Sequence, residues 1–195
     1  FGAFDPDFFM YFEETELLEH ISYEEAIELA YYGASVIHPK TLQPLQQKEI
    51  PFFVKSFINP LEPGTAVKKG QPLIPKVPCF ILKKEQHLVR LSSKDFSFIT
   101  EDKLSGIFTK LYNRQIKVNL MQNSAISLSM CLEDKYNHLE LFLQDVETEF
   151  KVQLDRDVLL YTIRHFDVSS DTIISKDQEL LRQTVRETLQ IVVKN

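Results

Sequence analysis

Along this chain of 195 residues the apolar positions follow a helical period first and a strand period later. Ala26, Leu29 and Ala30 fall on one helical stripe, and the residues around them predict a helix over 22–33. Ser22 is placed to cap it, with Glu25 three residues on as a capping box. Ile21 and Ala26 hold the staple positions, and Gly33 supplies a left-handed C′ residue. Val36-Ile37 then runs into His38-Pro39, where proline biases His38 towards extended backbone. Thr41 is expected to cap a short helix to about Gln47. A strand is expected over Ile50–Phe57, then a turn-rich exit over Asn59–Thr65. Residues 66–77 lack periodicity, hold Gly70, Pro72 and Pro75, and read as a linker.

Past the linker the pattern becomes regular. Phe80–Leu82 and Leu88–Leu91 read as two strands around a polar KKEQ break. Leu104, Ile107, Phe108 and Leu111 give an amphipathic helix starting near a Thr100 cap. Val118 and Leu120 begin a strand. Ile126, Leu128, Met130 and Leu132 alternate with polar residues and Cys131, the pattern of a strand with one buried face. Asn123-Ser124 between them predicts a hairpin. Leu139, Phe142, Leu143, Val146 and Phe150 predict a second helix, and Val152 and Leu154 a last strand. The order β-α-β-β-α-β predicts an α+β, ferredoxin-like module. Strands at Val158–Ile163, Leu180–Val185 and Thr188–Val193 follow, with only SSDTIISKDQ between the first two, too short for a full helix. They read as a reduced second copy that leans on another element, for which the strand at Phe80 is a candidate.

Composition narrows the function by exclusion. A formal net charge of -6 and a pI near 5.4 argue against nucleic acid and anionic membrane. The same topology serves RNA recognition, but there the third strand carries aromatic and basic residues, and Ser124–Leu132 has none. Cys79 and Cys131 lie far apart without a second Cys or His at ligand spacing, so free thiols and a cytoplasmic setting are expected, with no metal site. No apolar run approaches the roughly 20 residues needed to span a bilayer. The start FGAFDPDFF lacks both an initiator Met and a basic leader and reads as a fragment. Glu13, Glu14 and Glu16 read as a solvated face. Gly33, His38 and Pro39 read as packing devices before catalytic ones.

Over Ile21–Thr65 the sequence resembles the aspartokinases. Ser22-Tyr23-x-Glu25-Ala26 is followed by Gly33-Ala34-x-Val36-x-His38-Pro39-x-Thr41. Ile50-Pro51-x-x-Val54 comes next, and then Pro60-x-x-x-Gly64-Thr65. In that family this segment closes an α/β amino-acid-kinase domain, and two ACT modules, ferredoxin-like amino-acid sensors, come after it. The resemblance implies a C-terminal remnant of the kinase domain at 1–67, a linker at 68–77, an ACT module at 78–157 and a reduced ACT-like unit at 158–195. It implies a parent enzyme that uses ATP and Mg2+ to convert L-aspartate to 4-phospho-L-aspartate, the first step of the lysine, threonine and methionine pathway. The family's Lys-Phe-Gly-Gly start has no counterpart here, so no catalytic residue, ATP or metal is assigned to this chain alone. The family's phosphate-facing Lys is Ser35, left at most as a nucleotide rim contact, and its Asp-Pro-Arg element survives only as Asp5-Pro6-Asp7.

The resemblance also implies an effector site between the first loop of one ACT module and the second strand of its partner. Here those positions are Ser97, Phe98, Thr100, Lys103 and Leu104 on the loop side, with Val118, Asn119 and Ser124 on the strand side. Helix N-terminal N–H groups suit the carboxylate of such a ligand. Three positions depart from the family: a loop Gly is Asp102, an Asp that receives the effector's amino group is Asn119, and a Glu after Ser is Ala125. Lysine or threonine is the implied effector, and a homodimer through the ACT modules the implied assembly. Two further readings stand beside this one: a dimerisation module that senses nothing, and part of a bifunctional aspartokinase–homoserine dehydrogenase.

Overall fold

A computed structural model describes residues 16–34, 38–167, 170, 174 and 176–195. The chain divides into two compact units. The first takes the chain up to Leu82 with Thr162–Ile173 and Val185–Leu189; the second takes Lys83–Tyr161, Ile174–Thr184 and Gln190–Asn195.

In the first unit, strands β1 (His20–Ile21), β2 (Phe52–Val54) and β3 (Thr65–Val67) form a sheet in the order β1-β3-β2. β3 runs parallel to β1 and antiparallel to β2. Helix α1 (Tyr23–Tyr32) is punctuated as expected. The Ser22 hydroxyl accepts from the Glu25 N–H at 3.0 Å, and Gly33 ends the helix at φ 121°. The Glu25 carboxylate, however, goes to Arg164, so the box is only half built as predicted. Helix α2 (Pro39–Gln47) is capped by His38 and not by Thr41: His38 Nδ1 accepts from the Lys40 N–H at 3.2 Å. Proline at the first helical position, where the N–H is unneeded, starts α2 three residues early. The strand expected over Ile50–Phe57 is only three residues long; Phe57, Ile58 and Leu61 beyond it are almost fully exposed. Gly64 packs against the start of that excursion, where an added Cβ would collide with the Val54 carbonyl and come within 2.6 Å of Lys55 Cγ. Leu18, Ile21, Tyr23, Leu29, Leu42 and Val67 are the centre of this core, and Leu73 and Val77 from the aperiodic stretch pack onto it.

One buried polar cluster joins distant parts of this unit. Arg164 donates to both Glu25 oxygens, at 2.7 and 3.3 Å, and to Thr188 Oγ1 at 2.7 Å. His165 places one ring nitrogen 3.1 Å from Glu25 and the other 2.8 Å from Glu187, which Lys76 meets at 3.3 Å. The Glu25 and Arg164 side chains are 10% and 15% exposed, so neither charge is solvated alone.

The second unit is built on strands β4 (Cys79–Ser93), β5 (Lys117–Asn123), β6 (Ser127–Glu133), β7 (Phe150–Arg164), β8 (Glu179–Val185) and β9 (Thr188–Val193). Their order is β5-β6-β4-β7-β9-β8. With helices α3 (Glu101–Asn113) and α4 (Leu139–Glu147), the first four strands give the ferredoxin-like β-α-β-β-α-β order, with β4 and β7 central. Val89, Leu91, Leu128, Met130 and Leu132 bury one sheet face under Ile107, Leu111, Phe142 and Val146 of the helices. Arg114 clamps α3 to α4 with two hydrogen bonds to Asp145, at 2.8 and 3.1 Å.

Four expectations need correction. The two strands around KKEQ are a single strand, β4, interrupted by Glu85 at φ 55° rather than by a turn. The strands at Val152 and Val158 are likewise one, β7, with Asp157 at φ 52°. In both, one left-handed residue absorbs the irregularity within a continuous strand. β6 is buried on both faces: Cys131 lies in a second cluster with Leu88, Leu120, Val158, Leu160 and Val192. Thr100 takes the cap position of α3 without a side-chain cap bond, its hydroxyl donating to Asp102 instead. β8 and β9 extend the main sheet; the segment before them, too short for a full helix, lies partly outside the described residues and holds a 3-10 turn at Lys176–Gln178. Among the described residues no helix is long and apolar enough to cross a membrane.

Two substitutions test this account. Glu25→Ala strands a buried guanidinium and is expected to lose about 3–5 kcal/mol in urea unfolding, with Arg164→Met recovering part of it in the double variant. Gly64→Ala is expected to lose about 1–3 kcal/mol by overpacking, read as a lower midpoint at unchanged slope.

Candidate functional site

The loop from β4 to α3 is held by a small carboxylate-centred network. Asp95 Oδ1 accepts from the Ser93 hydroxyl at 2.6 Å and from the Ser97 N–H at 3.0 Å. These bonds hold the Asp95 carboxyl well below the usual carboxylate range. Lys103 reaches back from α3 and donates to Ser97 Oγ at 2.6 Å. Phe98 is mostly exposed, and Leu104 packs inward against the core. Ile99 N–H donates to the Ala125 carbonyl at 2.8 Å, which brings the loop beside the β5–β6 turn. Ser124 is there, its hydroxyl 2.7 Å from that of Ser127. The first turn of α3 carries Glu101 and Asp102, so the positive helix end is already faced by carboxylates.

Val118 and Asn119 lie elsewhere. Five residues of strand separate Asn119 from Ser124, on the order of 16 Å. The β5–β6 register shifts between Val118 and Leu120, a bulge that contains Asn119. The Asn119 amide accepts from Lys83 Nζ at 2.8 Å and donates to Gln86 Oε1 at 2.7 Å and Glu133 Oε2 at 3.1 Å. Gln86 is almost completely buried and donates in turn to the Lys84 carbonyl at 2.9 Å. Burial, and then Lys117 nearby, pushes the Lys83 ammonium down to about 8. These groups border a groove of about 770 Å³ lined by Lys83 to His87, Glu133 to Lys135, Asn137 and Asp157.

Of the residues read from the sequence, the fold therefore brings Ser97, Phe98, Thr100, Lys103, Leu104 and Ser124 to one end of the sheet. Val118 and Asn119 sit towards the other end of β5. Ser35 lies outside the described residues. Sequence reading missed Asp95 and the Lys83–Gln86–Glu133 group. An Asp two residues before a Ser was a legible turn signal for the first. For the second there was none, because the KKEQ break read as a turn. Burial pushes the Cys79 and Cys131 thiols up to about 11 and about 12, which keeps both protonated and poor nucleophiles. Among the described residues no three His, Cys, Asp or Glu side chains group as metal ligands.

Residues 10–56 match the amino acid kinase family. Aspartokinase 3, chloroplastic, of Arabidopsis thaliana is 28% identical over 157 residues, covering 77% of this chain and 27% of its own. The bifunctional aspartokinase/homoserine dehydrogenase of Buchnera aphidicola is 34% identical over 152 residues, covering 70% of this chain and 17% of its own. Among solved structures, Escherichia coli aspartokinase III in complex with lysine and aspartate aligns with a TM-score of 0.75 at 21% identity, over 95% of this chain and 45% of that one. The chain thus spans 17–27% of the length of these two curated relatives.

Titration separates the two polar groups. Lys83 is lowered from 10.5 to about 8, so its burial penalty is full below pH 8 and fades between 8 and 10.5. Lys83→Met is expected to be more stable than the parent at neutral pH, with the margin shrinking across that window. Asp95 is depressed from 3.8, so its contribution is present above that pH and lost as pH falls further. Asp95→Asn is expected to flatten the acid limb of a stability–pH profile.

Proposed function

Because this chain is related to the aspartokinases, we propose that it is the regulatory part of such an enzyme, joined to the closing segment of its kinase domain. The parent reaction is transfer of phosphate from ATP to L-aspartate, giving 4-phospho-L-aspartate. In this reading residues 1–67 are the kinase remnant, 78–157 the ACT module and 158–195 the reduced ACT-like unit, while the connecting stretch 68–77 packs Leu73 and Val77 onto the first core. Three of the four described helix starts are unsuited to a nucleotide phosphate. The first turns of α1, α3 and α4 carry Glu24 and Glu25, Glu101 and Asp102, and Glu140, which repel phosphate where a helix start would otherwise attract it, whereas α2 starts without an acidic residue. In this reading ATP and Mg2+ are held by the rest of the enzyme.

The observation that carries this reading is the position of β5. It is the edge strand of a ferredoxin-like sheet, paired on one side only, and most of its residues are exposed. An edge of this kind invites a second copy. Antiparallel pairing of two β5 strands about Met121 would set Val118 of one copy opposite Ser124 of the other. The strand-side residues would then meet the loop that one chain keeps apart from them. An amino-acid effector, lysine or threonine, would contact Ser97, Phe98, Thr100, Lys103 and Leu104 of one copy and Val118, Asn119 and Ser124 across the pair. Coupling to catalysis requires that the effector bind two states of the dimer unequally. A second reading, association without sensing, is favoured by the carboxylates on α3.

Calorimetry and light scattering on this chain separate the readings. A dimer at micromolar concentration that releases heat with lysine or threonine is expected. A dimer that stays silent with lysine, threonine and methionine leaves association alone, and a monomer overturns both.

A further inference from the structure

The groove of about 770 Å³ in the second unit opens on a lysine whose charge is poorly met. Lys83 of β4 is half-buried and lines it. Burial disfavours an ammonium unless an anion compensates. Here the acceptor is neutral: Lys83 Nζ donates to Asn119 Oδ1 at 2.8 Å. The Asn119 nitrogen donates to Gln86 Oε1 and Glu133 Oε2, which fixes its oxygen towards Lys83. An amide oxygen accepts from an amine as well as from an ammonium, so losing a proton leaves this hydrogen bond in place. Burial, and then Lys117 of β5, lowers the ammonium to about 8 against the pull of Glu133 and Cys131 of β6. Glu133 is in any case shared, since Lys117 meets it at 3.8 Å. Lys84, Glu85 and His87 of β4, Asp134 and Lys135 after β6, and Asp157 of β7 complete the titratable lining.

A lysine that sheds its proton near neutral pH becomes a nucleophile, and burial beside a second cation is one route to that state. The groove gives an electrophile access to it. The lining residues are all polar or charged, which suits a small polar electrophile better than a long apolar acyl chain. An acyl phosphate is of that kind. Its carbonyl is activated, and the charge of the departing phosphate can be met by Lys117, which is mostly exposed and only loosely paired. An aldehyde would give an imine, which water reverses; an acyl phosphate gives an amide, which persists.

We propose that Lys83 is an acylation site whose donors are small acyl phosphates. The neutral Nζ attacks the carbonyl carbon, a C–N bond forms, the bond from that carbon to the phosphate oxygen breaks, and phosphate leaves with the bonding pair. The surplus proton on nitrogen passes to solvent. The amide that results keeps an N–H for Asn119 Oδ1 and no longer carries a charge into the half-buried site. 4-Phospho-L-aspartate is itself an acyl phosphate, so the parent reaction would supply a donor; that link alone rests on the aspartokinase reading.

Acetyl phosphate is the probe. The chain is treated at pH 8 to low conversion, and the acetylation rate of each lysine is read by peptide mass spectrometry. Lys83 is expected to react about tenfold or more faster than exposed Lys40 and Lys48, since about half of it is neutral at that pH. The ratio is expected to shrink as pH rises from 8 towards 10.5, because Lys83 then has little proton left to lose. Asn119→Asp gives Nζ an anionic partner and is expected to remove the advantage, whereas Glu133→Gln is expected to increase it. Melting each variant establishes folding, and Glu133→Gln with the pH series decides if Asn119→Asp does not fold. A rate at Lys83 no greater than at Lys40 and Lys48 overturns the proposal. So does an advantage that Asn119→Asp leaves intact, that Glu133→Gln diminishes, or that stays constant with pH. The same mapping with the intact parent enzyme turning over ATP and L-aspartate distinguishes the donors. An aspartyl adduct on Lys83 names the enzyme's own product; acetylation without that adduct keeps the site and removes the link. The calorimetric response to lysine or threonine is read separately, so this site and the regulatory reading stand or fall independently.

Discussion

The first unit depends on a charge that cannot be left by itself. Glu25 sits on the inner side of a well-capped helix, nearly out of water, and a bare carboxylate there would be expelled. Its partner is Arg164, separated from it by 139 residues of chain. The two must be assembled together, and so the segments at 162–167 and 185–189 are drawn into a unit otherwise built from the first part of the sequence. Thr188 accepts a further hydrogen bond from Arg164, and His165, Glu187 and Lys76 continue the chain of alternating charges outward. Buried ion pairs of this kind add less to net stability than their geometry suggests, but they penalise every arrangement that separates them. The pair selects which segments meet.

Much of this was legible in the residue order where one local signal acted alone. Ser22, Gly33 and the Leu104–Leu111 stripe were readable because caps and helical stripes are local. The β-α-β-β-α-β order followed from period changes, and the matched family segment from its motif spacing. What escaped was decided by distant partners. Glu25 looked like a capping-box residue because nothing near it in sequence announced Arg164. Cys131 looked solvent-facing because the face opposite the helices is covered by Val158, Leu160 and Val192, residues far along the chain. The candidate site divided in the same way. The loop residues and Ser124 were brought together, while Asn119 was turned towards Lys83 by a bulge that leaves no mark in composition.

The two central strands share one device. β4 and β7 each run for 15 residues with a single left-handed residue inside them, Glu85 and Asp157. An unbroken pleat keeps alternate side chains on fixed faces, whereas one irregular residue lets the faces exchange. In β7, Val152 and Leu154 pack on the helix side, yet Val158 and Leu160, of the same parity, pack on the other. The exchange gives the sheet two apolar faces from modest sequence. It also leaves a polar seam where the exchange occurs, and the Lys83–Asn119–Glu133 group lies along it.

The thiols carry a consequence of a different kind. Both are held protonated by their surroundings, and Cys131 is enclosed by aliphatic side chains. Peroxide, disulfides and electrophiles react with thiolate and need access to it. These two cysteines are therefore poor reporters of cellular oxidation, and a change in thiol redox poise leaves both as they are.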